Sequence, residues 1–185
     1  MKFFKTVSVL LLGVLLVNAE EVEDLISELG SGDKVKRREA ARSLALLGPD
    51  AKAAVPALVK GLEDDEEQVF FWSAAALAKI GPAAYEATPK LIKRLERSRR
   101  RYKDQVHVRI VHALTQIGPQ AVPQLTEALG SEDSSVRLGA ARVLGNLGSA
   151  SRESAPRLFG LLADDSDSCL LYTSDAADDT PCVDL

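Results

Sequence analysis

The chain has 185 residues, of which 46% are hydrophobic and 27% are charged, and these proportions are ordinary for a globular protein. Aromatic residues make up only 5%, while alanine and leucine, which favour helices, are abundant. The formal net charge of −4 is small, so no whole-molecule field indicates binding to nucleic acid or to a membrane surface.

The first nineteen residues predict a secretory signal peptide. Lys2 and Lys5 give a positive start, residues 6–17 form an apolar run, and residues 17–19 (VNA) suit cleavage. Twelve helical residues rise about 18 Å, which is too short for the roughly 30 Å hydrocarbon core of a membrane. We therefore expect cleavage after Ala19, a secreted or periplasmic protein, and no membrane span after cleavage.

Residues 20–32 come next and contain a helix-forming stretch, EVEDLISEL. We expect this segment to be an N-terminal helix that caps the fold or the second half of an incomplete repeat. Beyond it, prolines recur at intervals of 33, 34 and 33 residues, with leucines two and six positions after each. Leucines at i and i+4 share one helix face, and proline is favoured in a first turn. The prolines with their leucines are Pro56 (Leu58, Leu62), Pro89 (Leu91, Leu95), Pro123 (Leu125, Leu129) and Pro156 (Leu158, Leu162).

A second helix is predicted before each of these prolines. It ends at a glycine, which can take the left-handed conformation that closes a helix, and in three of the four units a proline follows. Leucine stands four residues before each glycine, and an aspartate before the helix can cap its N-terminus. The glycines are Gly48, Gly81, Gly118 and Gly148; the leucines are Leu44, Leu77, Leu114 and Leu144; the capping aspartates are Asp33, Asp104 and Asp133.

A single pair of such short helices cannot enclose its own apolar face, so neighbouring pairs must stack. The sequence therefore predicts an all-α fold, a right-handed α-solenoid of antiparallel helix pairs within residues 33–168. We expect four repeats, at residues 33–64, 65–102, 103–132 and 133–165.

The repeats follow the pattern D-x-x-V-R-x-x-A-A-x-x-L-x-x-L-G, then A-x-x-x-x-P-x-L. This pattern resembles the short bacterial HEAT repeats found in bilin lyases and many other proteins. The fourth unit, from Asp133 to Leu158, fits best, while Phe70 and His107 replace the arginine in the second and third units. The third unit also has a shorter turn, with five residues from Gly118 to Pro123 in place of eight. The resemblance implies the fold and says little about function.

Residues 169–185 break the repeat rhythm and resemble translated adapter sequence from a transposon-based sequencing library. CLLYTSDAAD matches one part of such an adapter read in frame, and CVDL matches its continuation beyond an index. We therefore expect this tail to be non-native and disordered, and the natural chain to continue past Ser168. Both cysteines lie in the tail, so the remaining sequence predicts neither a disulfide nor a cysteine metal site.

We expect no catalytic residues, no cofactor and no metal site, and hence no enzyme activity. His107 and His112 are five residues apart and so lie on different helix faces, whereas an HExxH pair needs a spacing of four. No P-loop, GxGxxG or GxSxG motif occurs. The acidic run at residues 63–67 is interpreted as a solvated loop whose charges favour the next helix N-terminus, with a cation site as the alternative.

A basic cluster is the main candidate for partner binding. In stacked helix pairs the second helices line the concave surface, which is the usual binding face. A groove there would suit an acidic peptide, an anionic glycan or nucleic acid; the alternative is a solvated helix face and a polar loop. Nucleic acid is not expected, because an exported protein seldom meets it. The candidate residues are Lys60, Lys90, Lys93, Arg94, Arg97, Arg100 and Arg157.

Residues 70–72 (FFW) are three consecutive aromatics, which cannot all face the same way on a helix. At least one should be partly exposed or pack on a neighbouring repeat, with partner contact as the alternative.

The function predicted from the sequence is a non-catalytic, exported scaffold that binds a protein partner along the solenoid. The alternatives are an accessory module of a larger lyase-like enzyme with active residues beyond the present C-terminus, and a binder of anionic polymer through the basic groove.

Overall fold

The computed structural model describes residues 19–96 and 105–162, which form helices and short turns with no β-strand among them. The predicted signal peptide up to Asn18, the basic residues Arg97 and Arg100, the predicted cap Asp104 and the predicted non-native tail lie outside the described residues. The described α-helices are α1 (Ala19–Leu29), α2 (Lys34–Leu47), α3 (Val55–Gly61), α4 (Glu67–Ile80), α5 (Thr88–Leu95), α6 (Gln105–Ile117), α7 (Val122–Ala128), α8 (Ser134–Leu147) and α9 (Ala155–Leu162).

After α1, a longer first helix alternates with a shorter second helix. The pairs α2–α3, α4–α5, α6–α7 and α8–α9 are called repeats 1 to 4. The first helices pack side by side in the order α2, α4, α6, α8, and α1 packs against α2. Each of α3, α5 and α7 packs against the first helix of the following repeat. The structure therefore confirms the predicted all-α solenoid of stacked helix pairs.

The core of the stack is built from the predicted leucines and from small residues. Leu44, Leu77, Leu114 and Leu144 of the first helices are completely buried, as is the second-helix pair Leu91 and Leu95. Alanines such as Ala40 and Ala74 are also fully buried, and their small side chains let neighbouring helices approach closely. Burial of one leucine side chain contributes about 1.5–3 kcal/mol, so contacts between repeats supply most of the stability of each short helix.

The four glycines that end the first helices differ from the prediction. All have positive φ, but ψ is −126° at Gly48, −135° at Gly81, −157° at Gly118 and −124° at Gly148, far from the left-handed helical value near +47°. The left-handed closing conformation predicted for them is therefore wrong. Their angles lie nearer the first central position of a type II′ turn, which glycine favours because it lacks a Cβ.

A 3₁₀ segment follows each of these glycines and leads into the second helix. It has seven residues in repeats 1, 2 and 4 and three residues in repeat 3. The shorter segment in repeat 3 matches the closer spacing of Gly118 and Pro123 in the sequence. Each second helix then begins with proline in its first turn, as predicted.

Two of the predicted N-terminal caps are confirmed. The Asp33 carboxylate accepts a hydrogen bond from the backbone N–H of Val35 at 2.8 Å, and that of Asp133 accepts one from Ser135 at 2.7 Å. In repeat 2 the cap position is Glu66, whose side chain makes no such bond. There Asp64 Oδ1 accepts a hydrogen bond from the Glu66 N–H at 2.9 Å. The side chain that orders the loop before α4 is therefore two residues before the cap position.

Candidate functional site

Some residues of the predicted basic cluster on the second helices make contacts within the protein, and others are exposed. Lys60 and Lys93 are exposed. Lys90 is half-buried, with its Nζ 2.7 Å from Glu63 Oε1. Arg157 is exposed, and its guanidinium donates to the backbone oxygen of Thr126 at 3.0 Å, a contact from repeat 4 to repeat 3.

Arg94 points to the core side of α5, where its guanidinium carbon lies 4.7 Å from the ring centroid of Phe70. Phe70 is 1% exposed, so this cation–π contact forms where repeat 2 has an aromatic ring in place of the arginine of the repeat pattern. Arg94 is half-buried, and its charge therefore faces the fold more than it faces solvent. The described part of the predicted cluster reduces to the exposed cations Lys60, Lys93 and Arg157.

In repeats 1 and 4, the arginine of the pattern binds the loop that precedes its own helix. Arg37 donates to the backbone oxygens of Ser31 and Gly32, both at 3.2 Å. Arg137 donates to the backbone oxygens of Ser131 and Glu132 at 2.8 and 2.9 Å. These two side chains act in folding, because they satisfy loop carbonyls that would otherwise lack protein partners.

The acidic run at residues 63–67 is held by ion pairs in the structure. Arg37 Nε lies 2.7 Å from Asp64 Oδ2, and Arg37 Nη2 lies 3.1 Å from Asp65 Oδ1. Burial alone would raise the pKa of the Asp64 carboxyl, but hydrogen bonds from Arg37 and from the Glu66 backbone outweigh it, so the pKa lies below its ordinary value. The same hydrogen bond to Asp64 raises the pKa of Arg37. The run therefore fastens repeat 1 to the start of repeat 2.

The two histidines lie in different environments on α6. His107 is 2% exposed, whereas His112 is exposed. Within residues 19–96 and 105–162, no three histidine, cysteine, aspartate or glutamate side chains come together as a metal site would require. Nor does any helix in those ranges have both the length and the apolar character needed to cross a bilayer.

A second cluster, which the sequence did not predict as a unit, lies across three first helices. We call it the arginine–aromatic row: Arg42 of α2, Trp72 and Phe71 of α4, and Arg109 of α6. The guanidinium carbon of Arg42 lies 5.8 Å from the Trp72 centroid, and that of Arg109 lies 3.9 Å from the Phe71 centroid. Phe71 and Trp72 meet edge to face, with centroids 5.5 Å apart and planes at 87°. Of the three consecutive aromatics, Phe70 is buried, whereas Phe71 and Trp72 are half-buried.

The surface around this row is rich in basic side chains. We call the exposed and half-buried side chains of α2, α4, α6 and α8 the first-helix face. Apart from Arg37 and Arg137, which bind loops, its basic members outnumber its acidic ones. The basic residues are Lys34, Lys36, Arg38, Arg42, Lys79, Arg109 and Arg142; the acidic residues are Glu39 and Glu67. Position counting within the repeats gives part of the row, because Trp72 and Arg109 occupy the same position of the repeat pattern and Phe71 the position before it.

Stacked antiparallel helix pairs with a shared core and two long side-chain faces define an α-helical repeat protein. The HEAT repeat family matches residues 22–104 and 88–173 of the chain. The protein therefore belongs to the HEAT repeat family.

Several solved structures are similar to the chain. An engineered protein is 28% identical, with a TM-score of 0.50, and the match covers 80% of this chain and 74% of that one. A designed armadillo repeat protein in complex with the peptide (KR)4 is 19% identical, with a TM-score of 0.51 over 82% of this chain and 79% of that one. The complex of CpcE and CpcF of phycocyanin lyase from Nostoc sp. PCC7120 is 19% identical, with a TM-score of 0.48 over 83% and 97%. No curated protein shows a significant match.

Proposed function

We propose that the protein is an exported, non-catalytic scaffold that binds another protein along the surface of its helix stack. The observation that carries this proposal is the side-by-side packing of α2, α4, α6 and α8. Because of it, outward side chains from successive repeats form one extended face, and a partner can contact several repeats at once. Solenoids of this kind use such extended surfaces for binding.

The sequence supports the export part of the proposal. A basic start, an apolar run and a cleavage site after Ala19 are the features of a signal peptide. Cleavage after Ala19 would remove one residue from α1 and would leave its buried side chains Val22 and Leu29 in place. The mature fold is therefore compatible with this processing. Intact mass measurement of the protein from an export-competent cell should give a chain that begins at Glu20, and an unprocessed chain in the cytoplasm would contradict export.

Site-specific photo-crosslinking in the source organism tests the binding part. A photoreactive amino acid replaces His112 on the first-helix face, Lys93 on the second helices, or Gln120 in the turn of repeat 3, all of which are exposed. Binding of one partner along a face predicts a discrete crosslinked protein from the position on that face. Gln120 is the control, since it is also exposed and lies in the turn between the two helices of repeat 3.

The outcomes of this experiment are distinct. A single crosslinked protein obtained from one helix face and not from Gln120 supports a scaffold with a defined docking surface. Equal crosslinking at all three positions indicates random collision, and the absence of any crosslink indicates that no protein binds. Either of those results would overturn the proposed function.

A further inference from the structure

We propose that the arginine–aromatic row, Arg42–Trp72–Phe71–Arg109, is the docking site for an extended acidic segment of a protein partner, with two carboxylates flanking one apolar side chain. This inference rests on the proposed function, because it names the place and the chemistry of the binding. It differs from the sequence-based expectation, which put the site on the second helices.

The aromatic pair gives the row its apolar centre. Phe71 and Trp72 are both half-buried. Trp72 packs against the hydrophobic core, whereas Phe71 is not among the partly buried residues that do so. The exposed part of this pair is the kind of surface that becomes an energetic hot spot when a partner excludes water, since tryptophan and arginine are enriched at such positions.

The two arginines give the row its charge preference. No carboxylate of the described residues pairs with Arg109, and its partial burial against Phe71 lowers the pKa of its guanidinium. Among the described carboxylates, the one that contacts Arg42 is that of Glu39, at a long 3.8 Å, and Glu39 lies closer to Arg38, at 3.2 Å. A carboxylate from a partner would therefore form a charge-assisted hydrogen bond at each end of the row. Basic residues predominate on the surrounding first-helix face, which also favours an acidic segment.

The spacing of the row limits the partner segment. From the three separations of 5.8, 5.5 and 3.9 Å, the two guanidinium carbons are at most about 15 Å apart. In an extended chain, residues i, i+2 and i+4 share one side, and four residues span roughly 13 Å. Acidic residues at i and i+4, with an apolar residue at i+2, fit within this limit and follow the order arginine, aromatic pair, arginine.

Trp72 provides a direct assay, because it is the one tryptophan in the chain. The probe is a peptide that contains Glu-Ser-Leu-Ser-Glu, titrated into the full chain while Trp72 emission is recorded. We expect a saturable change below about 1 mM peptide that weakens as salt is added. Peptides with Lys in place of both Glu, or with Ser in place of Leu, should produce little change.

Matched charge reversals locate the site. Arg42→Glu with Arg109→Glu should weaken binding at least about tenfold, because it replaces both attractive charges with repulsive ones. Lys60→Glu with Lys93→Glu makes the same change in net charge on the second helices and should leave the affinity nearly unchanged. If circular dichroism shows that the first variant loses helicity, Arg42→Gln with Arg109→Gln provides the same test.

Three results would overturn the row as the docking site. These are no saturable peptide response, an equal loss of affinity in both reversal variants, and a Trp72 response to heparin that exceeds the response to the peptide, which would indicate a polyanion site. In the photo-crosslinking experiment, a partner captured from Lys93 and not from His112 would contradict the row and leave the proposed scaffold function intact. Absence of a crosslink at every position contradicts the scaffold function itself.

Discussion

The contact between repeats 2 and 4 can be tested by adding one methyl group. Gly139 lies in α8, and a Cβ placed there would be 2.7 and 2.8 Å from the two methyl carbons of Leu95. Carbon atoms pack best at about 3.5–4.0 Å, and Leu95 is fully buried, so it has little room to move. We expect Gly139→Ala to be destabilising, although alanine is the better helix former.

The magnitude follows from two opposing effects. Overpacking a core costs about 1–3 kcal/mol, and replacing glycine by alanine inside a helix contributes about 1 kcal/mol in the other direction. Gly145 in the same helix is the matched control, because it is exposed and its added Cβ would meet no atom within 4 Å. Gly145→Ala should therefore raise the free energy of unfolding by about 0.5–1 kcal/mol, and the two variants should differ by about 1–3 kcal/mol.

Urea unfolding followed by circular dichroism measures this difference, and a double-mutant cycle identifies its cause. Leu95→Ala alone should cost about 2–5 kcal/mol. In that background the clash is gone, so adding Gly139→Ala should stabilise the protein. If Gly139→Ala is as stabilising as Gly145→Ala in the wild-type background, Leu95 does not pack on Gly139 and the reasoning is wrong.

Three further predictions concern the ion pair, the turns and the last helix. The folded-state pKa of the Asp64 carboxyl is lowered, so the stability that its ionised form contributes is present at neutral pH and is lost as the pH falls through that pKa. Asp64→Asn should therefore have a lower free energy of unfolding than wild type near pH 7, and this difference should close below about pH 4. A difference that does not depend on pH would contradict the ion pair with Arg37. Gly81→Ala should lower the free energy of unfolding by about 1–3 kcal/mol, because φ is +69° there; an unchanged melting temperature would show that the turn relaxes at no cost. In α9, Phe159 is 70% exposed, so the backbone amides of α9 should exchange with deuterium faster than those of α4. Equal protection in the two helices would indicate that α9 is packed as firmly as α4.

The fold could be predicted from the sequence because its signals are local. Proline in a first turn, leucines at i and i+4 and a capping aspartate each act within one helix, and their constant interval indicates stacking. Leu58, Leu91 and Leu125 are completely buried as a result. The conformation of the closing glycines was missed because a glycine in the sequence indicates positive φ and leaves ψ open. Gly148, which no proline follows, adopts the same turn as Gly48, so a following proline is not its cause.

The candidate site could be predicted only in part because it depends on contacts between repeats. A count of basic residues finds Lys90 and Arg94, but it does not show that one pairs with Glu63 and the other covers Phe70. The arginine–aromatic row likewise requires the relative register of α2, α4 and α6. That register depends on how the whole helices pack against one another, which a pattern of leucines does not determine.

The contact between Phe70 and Arg94 has a consequence for the engineering of consensus arrays. In repeats 1 and 4 the arginine of the pattern binds loop carbonyls, whereas in repeat 2 Phe70 takes that sequence position and the guanidinium of Arg94 lies on its ring. Replacing Phe70 alone by the arginine of the repeat pattern would remove the ring that Arg94 covers, and changing Arg94 alone would uncover the ring. Because the ring and the guanidinium contact each other, a neighbouring module grafted here should exchange both residues together.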